Sequence, residues 1–143
     1  MIAVDTNILV YAHRVSAPLH VPAVDALRRV SSSLAPWLIP LHCLVEFYGN
    51  VTNPRVYAPP STPAEAGKFI RHLLGSPTLQ VGVDRTSTLS RLLLLIDATG
   101  VIGPQVHDAR IVSVCLDYGV SELWSVDRGF SRFPQLRVVN PFI

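Results

Sequence analysis

Apolar residues along this chain alternate between two spacings. Ile2-Ala3-Val4 is a short continuous apolar run, read as a buried strand, and Asp5-Thr6-Asn7 then caps a helix carrying Ile8, Leu9, Tyr11 and Ala12. Val21, Val24, Leu27 and Val30 recur at helical spacing and predict a second helix that ends at Ser31-Ser32-Ser33. Trp37-Leu38-Ile39 follows as a second strand. Pro40 suits the first turn of a third helix, with Leu41, Leu44, Val45 and Tyr48 as its apolar stripe. Glu46 lies off that stripe, on the face that carries His42, Cys43, Gly49 and Asn50.

Asn53-Pro54 ends this helix, and the stretch to Pro59-Pro60 is the clearest loop. Ser61 or Thr62 caps a fourth helix with Phe69, Ile70, Leu73 and Leu74 apolar. Leu79 to Val83 is a third strand, Thr86 to Ala98 a fifth helix, and Gln105 to Asp117 a sixth, which places Asp108, Val112 and Cys115 on one face. Glu122 to Val126 and Leu136 to Val139 complete five strands. Strands alternating with helices predict an α/β protein: a three-layer α/β/α sandwich around a mainly parallel five-stranded sheet. Sheets of this kind hold ligands at the carboxyl ends of their strands.

Composition narrows the class. The 143 residues, 49% hydrophobic, suffice for one domain spanning 1–143 with its own core. Cys43 and Cys115, the two cysteines, sit in apolar helical surroundings and read as buried free thiols, which fits a reducing, cytoplasmic setting. No export signal or membrane span is evident. The net charge of +2 does not announce a polyanion partner. Of the 12 basic residues only Lys68 is a lysine; arginine suits bidentate phosphate contacts, and GC-rich codon usage produces the same bias.

The chemistry lies in the acids. Asp5 and Asp127 follow apolar strands, at the edge where such a sheet binds ligands, while Asp108 opens one helix and Glu46 lies within another. Taken singly, each has a structural reading as a helix cap, a dipole partner or a solvated face. Taken together, four carboxylates in one crevice repel one another unless a cation is present. An all-oxygen set favours Mg²⁺, with Mn²⁺ able to substitute, over Zn²⁺; no zinc-ligand spacing accompanies His42 and Cys43.

Val4-Asp5-Thr6-Asn7, Glu46, His107-Asp108-Ala109 and Trp124-Ser125-Val126-Asp127-Arg128-Gly129-Phe130, in this order, resemble the PIN-domain nucleases, specifically the VapC toxins of toxin–antitoxin pairs. The resemblance implies Mg²⁺- or Mn²⁺-dependent endonucleolytic cleavage of RNA that leaves a 5′-phosphate and a 3′-hydroxyl. It implies Asp5, Glu46, Asp108 and Asp127 as catalytic and metal-binding acids, with Thr6, Asn7 and Ser125 as supporting polar residues. It also implies a VapB-type antitoxin and a homodimer; Phe69, Ile70, Leu73 and Leu74 are candidates for part of an antitoxin groove. Arg110 and Arg128, beside two of the acids, are candidate RNA-phosphate contacts. The alternative is a catalytically silent RNA- or protein-binding module, which the presence of all four acids disfavours. A phosphoacceptor receiver domain expects a strand-ending lysine, whereas Lys68 falls in a helix.

Overall fold

In a computed structural model describing residues 1–143, five strands form one parallel sheet in the order β3-β2-β1-β4-β5. These are β1 (Ile2–Val4), β2 (Trp37–Pro40), β3 (Leu79–Gly82), β4 (Glu122–Trp124) and β5 (Arg137–Val139). The helices are α1 (Thr6–His13), α2 (His20–Ser32), α3 (Leu41–Val51), α4 (Pro63–Leu74), α5 (Thr86–Thr99) and α6 (Val106–Asp117). A 3₁₀ turn over Gly103–Gln105 leads into α6, and another, Arg128–Arg132, follows β4. No helix is long and apolar enough to cross a membrane.

The strand order fixes where a site can form. From β1 the chain moves outward in one direction to β2 and β3, then returns across the sheet to β4 and β5. Because parallel crossovers are right-handed, α1 to α4 cover one face and α5 with α6 the other. Neighbouring β1 and β4 therefore send their connections to opposite faces, which opens a crevice beyond their carboxyl ends. The ladder holds this junction closely: the Asp5 N–H donates to the Trp124 carbonyl at 3.0 Å, and the Ser125 N–H donates to the Val139 carbonyl at 3.0 Å.

The core lies on both faces of the central strands. Ala3, Val4, Leu38, Ile39 and Leu123 are buried, with Ile8, Leu9, Phe47, Val112 and Cys115 packed over them from the helices. Trp37, Trp124, Phe130 and Phe133 are core aromatics. Both thiols are free and buried; burial pushes Cys43 well above its ordinary range and Cys115 to about 12, so neither is a nucleophile. Asp117 joins α6 to the start of α5 by accepting from Thr88, Ser87 and Arg91.

Three expectations about facing are corrected. On α3 the buried residues are Cys43, Leu44, Phe47 and Val51, while Leu41, Val45 and Tyr48 are exposed. On α2, Val21 faces solvent and Ala23 and Ala26 join Leu27 and Val30 in the core. On α4, Leu73 is buried but Leu74 is not. The α3 rotation matters, because it turns the Cys43–Phe47 side towards the sheet and leaves Glu46 at the margin of the crevice.

Candidate active site

Asp5 is the N-cap of α1 and the first residue beyond β1, so one residue ends the central strand and starts a helix. Its side chain is buried, and both carboxylate oxygens accept hydrogen bonds. Oδ1 accepts from the Thr6 N–H at 2.7 Å; Oδ2 accepts from the Ser125 hydroxyl at 2.7 Å and from Asn7 Nδ2 at 2.9 Å. Ser125 Oγ accepts in turn from Asn7 Nδ2 at 3.0 Å and from the Asp127 N–H at 3.0 Å. The ends of β1 and β4 are thereby stitched together through three polar side chains.

Thr6 carries the network onward. Its hydroxyl donates to Glu46 Oε2 at 2.8 Å, so adjacent groups of one residue hold Asp5 and Glu46. Glu46 Oε1 also lies 3.1 Å from His42 Nε2, one turn back on α3, although that contact lacks hydrogen-bond alignment. Burial holds His42 below its ordinary value, against the pull of Glu46.

Asp108 stands in the first turn of α6, half-buried. Asp127 is exposed three residues past β4 and caps the following 3₁₀ turn, its Oδ1 accepting from the Gly129 N–H at 2.7 Å. The cap and the cavity position are compatible: Asp5, Glu46, Asp108 and Asp127 all line one cavity of about 300 Å³, together with Thr6, Asn7 and Asn50. Val10, Ile111 and Phe130 form its apolar wall, and Tyr11 and Tyr57 its aromatic one.

The electrostatics match this crowding. Burial raises Asp5 to about 6 despite its donors, and the charge of Glu46 adds to the shift. Asp108 is also raised, first by burial and then by the charges of Asp127 and Glu46, with Arg132 and His107 opposing.

A divalent cation is the group this donor set fits. Every acid presents hard oxygen, and Asn50 Oδ1 is buried in the lining without a partner. A Cβ added at Gly129 would stand 3.0 Å from Asp127 Oδ1 and 3.4 Å from Asp108 Oδ2, so glycine leaves room between two acids. No three acidic, histidine or cysteine side chains close tightly enough to enclose a bare ion. The donor set therefore suits a divalent cation that keeps part of its hydration shell.

The two arginines do not line the cavity. Arg110 forks onto Asp84, with Nη2 to Oδ2 at 2.7 Å and Nε to Oδ2 at 3.1 Å, and places Nη1 3.1 Å from His42 Nδ1. Arg128 is exposed on the 3₁₀ turn beside Asp127. Sequence reasoning missed Asn50, Arg132 and the two tyrosines. Asn50 had a signal, since it lies four residues after Glu46 on one helical face, and Arg132 ends the turn that Asp127 caps; Tyr57 is brought near only by tertiary packing.

The Ser125 hydroxyl has one donor and two acceptor roles here, and Ser125→Ala removes all three. We expect divalent-ion affinity to fall about 10- to 100-fold, the usual cost of losing an orienting partner, and stability to fall by about 1–3 kcal/mol as buried partners are left unpaired. Calorimetric titration of Mg²⁺ or Mn²⁺ into both proteins measures it.

Residues 2–136 match the family model for the PIN domain. Ribonuclease VapC43 of Mycobacterium tuberculosis is 33% identical over 144 residues, covering 99% of this chain and 95% of that protein. Ribonuclease VapC31 of the same species is 27% identical over 141 residues, covering 99% of each. Among solved structures, VapBC2 from Rickettsia felis bound to a promoter DNA fragment aligns with a TM-score of 0.70 at 19% identity, over 97% of this chain and 98% of that one. VapC20 of M. tuberculosis, described as a sarcin–ricin loop cleaving toxin, aligns at 0.68 and 17% identity, over 92% and 93%. A strand-end carboxylate network in a sheet of this order, matched along nearly the whole chain, leads to one conclusion: this chain belongs to the PIN-domain family, and its type is VapC.

Proposed function

We propose that this chain is a metal-dependent endoribonuclease, the toxin of a VapBC-type pair, that hydrolyses RNA phosphodiester bonds in the cavity where Asp5, Glu46, Asp108 and Asp127 meet. The observation that carries the reading is Asp5: a buried carboxylate raised to about 6, surrounded by donors that hold it in place, beside a second carboxylate tied to the same threonine. A bound Mg²⁺, or Mn²⁺ in its stead, supplies charge compensation and Lewis acidity towards water and phosphate.

The chain's own residues do the rest. Asp5 and Asp108 are the inner acids, one fixed by Thr6, Asn7 and Ser125, the other free of hydrogen-bonding partners and able to turn towards a ligand. Glu46 and Asp127 face the same space from α3 and from the turn after β4. Arg128 remains a candidate phosphate contact at the rim, while Arg110 is engaged elsewhere. The expected products carry a 5′-phosphate and a 3′-hydroxyl.

A separate groove of about 620 Å³ between α2 and α4 is lined by Val24, Leu27, Trp37, Phe69 and Leu73 and suits the apolar face of a VapB-type antitoxin helix. Of the four candidates Phe69, Ile70, Leu73 and Leu74, the first and third line this groove and the other two do not. A homodimer is part of the same proposal, the exposed Leu41, Val45 and Tyr48 of α3 being available to cover one another.

The test is cleavage of defined RNAs by purified protein with Mg²⁺, with EDTA, and with Asp108→Asn; the sarcin–ricin loop, the target named for VapC20, is the first to try. Discrete cuts that vanish in both controls are expected. Cutting that survives chelation and substitution alike would overturn the reading.

The raised carboxyl of Asp5 also sets a pH dependence. Its native value, about 6, lies above its unfolded value of 3.8, so the metal-free fold binds this proton more tightly than the unfolded chain. Its contribution to stability is present below about pH 4, declines from about pH 4 to 6, and is gone above. Divalent ions bind the ionised form, so saturating Mg²⁺ should raise the melting temperature more at about pH 8 than at about pH 5. Equal shifts at both pH values, read by thermal melts, would contradict the assignment of Asp5 as a ligand.

A further inference from the structure

We propose that Asp84, Arg110 and His42 form a positioning chain that fixes which nitrogen of His42 carries the proton and thereby sets the orientation of the Glu46 carboxylate. Arg110 then serves the acid on α3 and not an RNA phosphate. The inference rests on the reading of Glu46 as a metal-binding acid, and concerns how this chain holds it.

The chemistry of the contact decides the tautomer. A guanidinium has N–H donors and no acceptor, so Arg110 Nη1, 3.1 Å from His42 Nδ1, can only donate to the ring nitrogen's lone pair. Nδ1 is thus unprotonated, and the neutral imidazole carries its proton on Nε2. Nε2 is buried and stands 3.1 Å from Glu46 Oε1, the acceptor within its reach. The pair is off line as placed, so Nε2 acts on the carboxylate as a close N–H dipole at 3.1 Å and not through an aligned hydrogen bond. Glu46 Oε2 accepts from Thr6 at 2.8 Å, so one oxygen is hydrogen-bonded while the other faces the Nε2 proton.

Two further contacts keep the ring where this requires. Asp84, just beyond β3, grips Arg110 through Nε and Nη2 and fixes the direction of Nη1. His107 stacks on His42 with centroids 5.2 Å apart and planes 13° apart. Without Arg110 the proton is free to move to Nδ1, which would turn an Nε2 lone pair onto the Glu46 carboxylate and push it away.

The first measurement needs no substitution. Nitrogen-15 correlation spectra of the metal-free protein should show His42 protonated at Nε2 and bare at Nδ1; a proton at Nδ1 overturns the proposal. The second is a double-mutant cycle read by Mg²⁺ calorimetry. Arg110→Ala should weaken Mg²⁺ about tenfold. His42→Phe, which keeps the stacking on His107, should do the same. The double variant should be no weaker than His42→Phe alone, because Arg110 acts only through the ring.

Costs that add independently would overturn the proposal. So would an Arg110→Ala protein with wild-type Mg²⁺ affinity and weakened RNA binding, the signature of a phosphate contact. Asp84→Asn tests the chain from its exposed far end should Arg110→Ala fail to fold, with a loss of about threefold expected and none contradicting it. Failure of the functional reading is distinguishable: wild-type protein would then take up no Mg²⁺ at all.

Discussion

Asp5→Asn is expected to lower RNA cleavage at least about 10²- to 10³-fold while the protein remains folded. The carboxylate is buried, accepts from Thr6, Asn7 and Ser125, and faces Glu46 across the shared threonine. An amide keeps the volume but removes the charge that a cation needs, and it presents an NH₂ group where the neighbours also donate. Loss of a repulsive buried charge offsets loss of an acceptor, so the melting temperature should move little. Rates with a defined RNA under saturating Mg²⁺, beside circular dichroism of both proteins, measure the two effects. Asp25→Asn, at an exposed pair with Arg28, is the control and should cleave like wild type.

Phe47→Ala should have the largest effect on stability. Phe47 is fully buried, edge-on to His13 at 5.3 Å and tilted against Phe69 at 5.0 Å, so it joins α3 to α1 and α4. Truncating such a ring costs about 3–5 kcal/mol, a large part of the roughly 5–15 kcal/mol that keeps a domain folded. A fall in melting temperature of roughly 10 °C follows for a chain of this size. Phe47→Leu, which retains most of the volume, should lose less than half as much. A thermal melt showing under about 1 kcal/mol for the alanine variant would mean the α3 junction is not where stability resides.

The sequence was most legible where chemistry and backbone coincide. Asp5 must both end a buried strand and cap a helix, and that double duty is written in Ile2-Ala3-Val4-Asp5-Thr6-Asn7. Asp127 was legible in the same way as the cap of the turn after β4, whereas the role of Ser125 came only from the family resemblance. Helix facing was harder to read. α3 carries apolar residues at 41, 43, 44, 45, 47, 48 and 51, nearly all round, so two stripes compete and only packing against the sheet selects Cys43, Phe47 and Val51.

Charge pairing was least legible. Arg110 is two residues from Asp108, yet its ion-pair partner Asp84 is 26 residues earlier and reaches it only through the fold. Asp117 is a comparable case, its partners on α5 being 26 to 30 residues away. Pairs this far apart leave no local pattern. Asp127 combined both readings that its position allowed, a turn cap and a cavity acid.

The most direct test of the central claim is a crystal grown with Mn²⁺ and measured for anomalous scattering. A manganese peak is expected inside the cavity lined by Asp5, Glu46, Asp108 and Asp127, and is expected to be lost in the Asp5→Asn protein. A manganese-soaked crystal with no peak there, from protein that cleaves RNA, would contradict it.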